Sequence, residues 1–430
     1  MRPIGAGLSV LLVGGTMTAV ACGPIAAQEV TRLPARDRVI EPTLADVYDI
    51  GSLDGPEWQT FGDIGGTAFD AAGNLYILDI QSSRIVVVGP DGKLVREVGS
   101  PGDGPGELGG PVGFAVLRDG TIVVTDTGHQ AYVVYGPDGV YDKQLSFRRD
   151  GGVIRVGDIQ PDPRGGAILS GGGRTSISMS VGPGQRPELP SGRPIRRIAL
   201  RGEEVSPTTV VDAWQPPRDD RPQELSGGGM RFRMAMAGPR TFEPGLYVGP
   251  LPDGGIVYVD STDYAVKVAD AEGRMQRVIR RPFRPRPVTD EIEKAEKERR
   301  LRELEEGEGP KMVVRIGSPG GGVRAVDPAA VKEMMKNQID RMRFYPEVPV
   351  LMGLSTGWSG KIWIQRRGAS PADEGPVDVV RPDGTYVGTI GEDGIGIPAA
   401  FGPDGLVAYV TKDELDVPTV QVRRLPAILR

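Results

Sequence analysis

Apolar runs four or five residues long recur along this chain, and each is closed by a turn carrying Gly and Asp. Leu75-Tyr76-Ile77-Leu78-Asp79 is followed by Arg84-Ile85-Val86-Val87-Val88. The pattern returns as Ile122-Val123-Val124-Thr125-Asp126 and Ala131-Tyr132-Val133-Val134-Tyr135, with an offset of 47 residues from Gly73 to Gly120. The runs are continuous rather than alternating, so they predict strands buried on both faces. The turns fit that reading. Gly73 supplies the positive φ of a tight hairpin, and Gly89-Pro90-Asp91-Gly92 and Gly136-Pro137-Asp138-Gly139 read as reverse turns. A repeat of roughly 40–50 residues built in this way predicts one propeller blade of four strands per unit.

Further copies run in phase. One covers 246–273, with strands at 246–250, 255–260 and 265–269. The next uses 350–354, 361–365 and 377–380, and the last 397–401, 406–411 and 419–424. A degraded copy, clearest at 166–170 and 195–200, lies between the second and fourth units, which makes six. The last unit lacks an outer strand. The segment 40–52 before the first blade is expected to supply it and close the ring, removing open sheet edges. The expected fold is therefore all-β, a six-bladed β-propeller over 28–430. A helical insertion at about 284–346 separates blades 4 and 5. Its first helix starts at Thr289 and Asp290 and carries Glu/Lys/Arg pairs four residues apart. Its second starts at Asp327-Pro328 with an apolar stripe of Val331, Met334, Met335, Ile339 and Met342. Three segments that interrupt the blade pattern, 171–193, 214–242 and 284–346, are expected to cap one face of the channel.

The residues 73–92 resemble the NHL-type repeat, whose pattern runs Gly-Asn-Val-Tyr-Val-Ala-Asp, then Arg-Ile-x-Val-Phe, then a Gly turn. The stretch 99–108, Gly-Ser-Pro-Gly-Asp-Gly-Pro-Gly-Glu-Leu, is similar to that family's connector between blades. The match is close over 66–147 and loose elsewhere. It implies a six-bladed propeller of the NHL-repeat, TolB-like kind, and it leaves the activity open, since propellers host enzymes, sensors and scaffolds alike.

Composition agrees with the strand reading. Of 430 residues, 63 are Gly and 39 Pro, and the Val and Ile runs show that these serve as turns in a folded chain. A net charge of −6 and a pI of about 5.3 argue against nucleic acid as a partner. Residues 1–27 read as a secretory signal: Met1-Arg2, an apolar stretch broken by glycines, then small residues. Cys22, the single cysteine, follows Ala19-Val20-Ala21 and resembles a lipobox, with Ala19 where Leu or Val is usual. The expected product is an exported monomer, periplasmic or anchored by a lipid on Cys22.

Candidate chemistry is sparse. The chain has one histidine, His129, and by alignment with Ser82 it is expected to sit in a solvent-facing loop. One histidine cannot build the multi-histidine metal site of propeller lyases. Gly353-Leu354-Ser355-Thr356-Gly357 matches a nucleophile elbow letter by letter, but falls where a hairpin turn is expected rather than a strand-to-helix turn. Asp79, Asp126 and Asp260 recur at the end of the second strand. They are expected to accept backbone hydrogen bonds, with a carboxylate site for Ca²⁺ as the rival. The arginine clusters containing Arg231 and Arg233, Arg280 to Arg286, and Arg366-Arg367 offer guanidinium forks to a carboxylate or phosphate. The expected ligand residues are Arg231, Arg233, Arg284 and Arg286. The leading expectation is a non-catalytic binding or scaffold module for a protein or a small anionic ligand. The alternative is a divergent metal-dependent hydrolase of lactonase type.

Overall fold

The computed structural model describes residues 29–430 apart from 148–152, 157, 173–175, 180–191, 218–222, 228–229, 235–239, 307–314, 318–322, 326–327 and 414. Six antiparallel blades form a ring. Their inner strands are Ile64–Phe69, Pro111–Val116, Ile159–Pro161, Tyr247–Pro250, Leu351–Thr356 and Ala400–Phe401. Asp327, expected to cap the second helix, lies outside the described residues.

The continuous apolar runs are explained by the packing between blades. Successive side chains of a strand point to opposite sheet faces. Tyr76, Leu78, Ile85 and Val87 of blade 1 therefore meet Val116, Ile122, Val124 and Val133 of blade 2. The intervening Leu75, Ile77, Val86 and Val88 meet Ala408, Val420 and Val422 of blade 6. The same interleaving joins blades 2 and 3, 3 and 4, 4 and 5, and 5 and 6. Gly73 and Gly120 hold φ of +82° and +91° in the equivalent turns of blades 1 and 2, a conformation that a side chain would strain.

The ring closes as the missing strand predicted. Ala45–Ile50 pairs antiparallel with Pro418–Arg424 and completes blade 6. The chain just before it does more than expected. Glu29–Arg32 adds a parallel fifth strand to Met275–Arg280 of blade 4, and Val39–Ile40 adds one to Tyr386–Ile390 of blade 5. One N-terminal segment thus covers the outer edges of three consecutive blades.

Strands alternate in direction within a blade, so the chain enters each inner strand and leaves each second and outer strand at the same end of the ring. The segment 171–193 follows the second strand Ala167–Ser170, 214–242 follows the outer strand Pro207–Ala213, and 284–346 follows the outer strand Met275–Arg280. All three leave at that shared end. Two of them are joined: Thr241 N donates to the Arg343 carbonyl at 2.7 Å, Tyr345 N donates to the Thr241 carbonyl at 2.8 Å, and Phe242 meets Phe344 at 5.8 Å. The last insertion carries α1 (Asp290–Glu306) and α2 (Pro328–Asp340). The Thr289 hydroxyl accepts from Ile292 N at 3.4 Å and caps α1. The charge pairs of α1 are less solvated than expected, because Glu296 is buried and binds both Arg299 and Arg300 at 2.7 Å.

Candidate ligand-binding channel

The six inner strands enclose a cavity of about 810 Å³ along the ring axis, within the usual range for ligand pockets. Its existence follows from sequence. Where six strands converge small side chains leave space at the axis, and much of the wall is built from Gly65, Gly66, Thr67, Ala68, Gly113, Ala115, Ser355, Thr356 and Ala400, with Pro161, Pro163, Pro250 and Pro252. Phe69, Phe114, Trp358 and Phe401 supply aromatic surface. Among the lining residues only Asp63, Asp158 and Arg118 carry charge.

The two ends differ. Asp63 and Asp158 immediately precede inner strands and lie at the end that carries the insertions. Arg118 and Trp358 follow the inner strands of blades 2 and 5 and lie at the opposite end. Those blades face each other across the ring, and the Arg118 guanidinium sits over the Trp358 ring at 4.8 Å, spanning that mouth. Between the ends, the hydroxyls of Thr67 and Thr125 are buried without a hydrogen-bond partner. Thr125 stands on the second strand of blade 2, opposite Gly113. Because Gly113 has no side chain, Thr125 lines the channel from behind it. A Cβ added at Gly113 would meet nothing within 4 Å.

The repeated aspartates are not brought together. Each accepts backbone hydrogen bonds at its own site, Asp79 from Ser82 N at 3.3 Å and Asp126 from His129 N at 3.1 Å and Gly109 N at 2.8 Å. Asp260 accepts from Trp214 N at 3.0 Å and pairs with Lys267 at 2.8 Å. Among the described residues no three His, Cys, Asp or Glu side chains group as metal ligands.

His129 departs from expectation. Its side chain is only 15% exposed, with Nδ1 3.1 Å from buried Asp126 and Nε2 3.8 Å from Asp103. The alignment with Ser82 placed it correctly in the loop after the second strand. It could not show Gly109, just after the connector, packing against the ring. The Ser355 motif also lies differently. It occupies the inner strand of blade 5 rather than a turn, and Ser355 lines the channel before the chain turns into strand Ile362–Arg367.

The arginine clusters do hold carboxylates and carbonyls, but the protein's own. Arg281, fully buried, bonds Asp378 and Asp37 at 2.8 Å each, and the Pro34 and Arg36 carbonyls at 2.8 and 3.1 Å. Arg366 bonds Asp37 at 2.7 Å. Asp378, also fully buried, further accepts from Tyr264 at 2.8 Å and Thr389 at 2.5 Å. Burial works against the Asp37 carboxylate, but its bonds to Arg366 and then Arg281 outweigh it and hold the group below its ordinary pKa. Burial likewise opposes the Arg281 charge, and the Asp378 carboxylate overcomes it. Nothing in the repeat pattern pointed to this network, because Asp37 lies outside the repeats and Asp378 inside an apolar run.

Arg286 donates to the Gly368 carbonyl at 3.2 Å and to that of Ala369, and Arg284 is exposed. Neither lines the channel, nor does any other described residue of the three insertions. Arg231 and Arg233 lie on the strand Met230–Met234, and their side chains, like Cys22, are outside the described residues. The residues that sequence reasoning missed, Arg118, Thr125 and Trp358, carry no motif. Their signal is positional, two residues beyond an inner strand or beside one.

Solved structures resemble the chain at low identity. A gluconolactonase from Xanthomonas campestris is 14% identical, with 92% of this chain and 99% of the other covered at a TM-score of 0.38. A member of the DUF4221 family from Bacteroides vulgatus is 11% identical, covering 90% and 99% at 0.49. A virginiamycin B lyase from Staphylococcus aureus is 12% identical, covering 90% and 100% at 0.39. The chain is a six-bladed β-propeller. No protein-family model and no curated protein matches it at a significant level.

Proposed function

We propose that this chain is an exported, non-catalytic binding propeller of the NHL-repeat, TolB-like kind, taking its ligand in the central channel from the insertion-bearing end. The observation that supports this is the cavity itself: about 810 Å³, walled by all six blades, with polar and apolar surface in nearly equal measure. That composition suits reversible recognition. Loops on a rigid scaffold are where recognition concentrates, and the joined insertions at the same end offer a surface for a protein partner.

Native mass spectrometry of protein secreted by its host tests the reading, followed by thermal-shift screening of a metabolite library. A bound small molecule, displaced in a Gly113→Leu variant, is the expected result. The absence of any adduct or shift would sink it, and turnover of a lactone in the channel would replace it with the hydrolase alternative.

Export and anchoring rest on residues 1–27 and Cys22. Among the described residues no helix is long and apolar enough to cross a membrane. Detergent partitioning and palmitate labelling are expected to depend on Cys22 and to vanish in Cys22→Ser. Labelling that persists in the variant would refute the lipid anchor.

A further inference from the structure

We infer that the channel takes an elongated ligand bearing a single carboxylate, seated on Arg118 at the end away from the insertions. This deepens the channel reading and rests on it. The guanidinium of Arg118 makes no hydrogen bond or ion pair with any described residue, and its partner is the face of Trp358 at 4.8 Å. The arginines between blades are different: Arg193, Arg197, Arg281 and Arg366 are all bound to carbonyls or carboxylates. Stacking on an indole fixes the plane of a guanidinium while leaving its N–H edge free, which is the geometry that grips a carboxylate through two parallel bonds.

A second observation is independent of Arg118. Thr125 is 2% exposed, lines the cavity, and its hydroxyl has no partner. A buried hydroxyl left unpaired is costly, so it marks a place where a ligand oxygen or water belongs. The hydroxyl is covered in this structure, and the open space in front of the paired Gly113 lies beside it.

The far end sets the rest of the ligand. Asp63 lies exposed there, so a second carboxylate would meet like charge, whereas a neutral or cationic end would not. The inner strand Ile64–Phe69 spans five residue steps, roughly 16 Å at about 3.3 Å per residue. The ligand body is therefore extended, with an apolar stretch that packs on Phe114, Phe401 and the prolines of the wall.

The test uses the full mature chain and four probes of one length: octanoate, octanamide, octanedioate and ω-amino-octanoate. Binding is read by calorimetry and by tryptophan fluorescence. Octanoate and ω-amino-octanoate are expected to bind, with octanamide and octanedioate at least tenfold weaker. Arg118→Gln is expected to weaken octanoate at least tenfold while leaving octanamide unchanged, and Thr125→Val to weaken all binding probes alike. Arg118→Lys keeps the charge without the fork and is expected to lie between, which carries the test should the Gln variant fold poorly. Equal binding of octanamide and octanoate, or octanoate binding unchanged in Arg118→Gln, would overturn the carboxylate assignment and leave the channel reading standing. If no probe binds, the inference falls, and the metabolite screen decides separately whether the channel reading falls with it.

Discussion

Replacing Asp378 by Asn is expected to cost about 3–5 kcal/mol, the penalty for breaking a buried ion pair from one side. The carboxylate is inaccessible to solvent, as is the guanidinium of Arg281 that it binds at 2.8 Å. Asparagine keeps one acceptor and turns the other position into an N–H₂ group facing Arg281, Arg366, Tyr264 or Thr389, all of which already donate or carry positive charge. Arg281 would retain Asp37 and two carbonyls and stay in place, but Arg281 and Arg366 would then share a single carboxylate, leaving one positive charge uncompensated. Against a total stability of about 5–15 kcal/mol, that loss is large. With a urea slope of about 3 kcal/mol/M, the midpoint should fall by about 1–1.7 M, followed by the fluorescence of Trp363, which is buried in the neighbouring core. The double variant Arg281→Met/Asp378→Leu is expected to recover part of the loss, because it leaves no lone charge between the two positions. A loss below about 1 kcal/mol in Asp378→Asn, the range of an exposed pair, would refute the view that Asp378 and Arg281 form a buried, desolvated pair.

Removing residues 29–40 should leave a closed ring with two outer edges uncovered, whereas removing 29–50 should open blade 6 and broaden unfolding. Sedimentation and urea melts on the two truncations distinguish these outcomes. Gly113→Leu places its side chain in open channel space at a position whose φ is not left-handed, so stability should stay within about 0.5 kcal/mol while ligand affinity drops at least tenfold. His129→Ala takes a partner from a buried carboxylate that keeps two backbone donors, and a urea melt should show a loss of about 1 kcal/mol. The Asp37 pKa is lower folded than its ordinary 3.8. The pairing it provides is therefore fully present above about pH 4 and lost as pH falls through the depressed value. Acid unfolding of Asp37→Asn should show a smaller decline over that window, and an unchanged profile would refute the linkage.

The blade strands were legible because each obeys a local rule. Leu75 to Leu78 and Ile122 to Val124 are apolar throughout since both faces are covered, and Gly73 and Gly120 stand where a left-handed residue is required. Ring closure was legible too, as one unit lacked a strand that 40–52 could supply. What only the tertiary structure decided depends on residues far apart in the chain. Arg118 and Trp358 meet because blades 2 and 5 oppose each other in a ring of six. Thr125 reaches the channel because Gly113 stands in front of it. Arg281 and Arg366 find Asp37 because the N-terminal segment crosses blades 4 and 5. A one-dimensional pattern records which residues must be buried and where the chain must turn. It does not record which side chains a closed ring turns toward its axis, and that is where the candidate site lies.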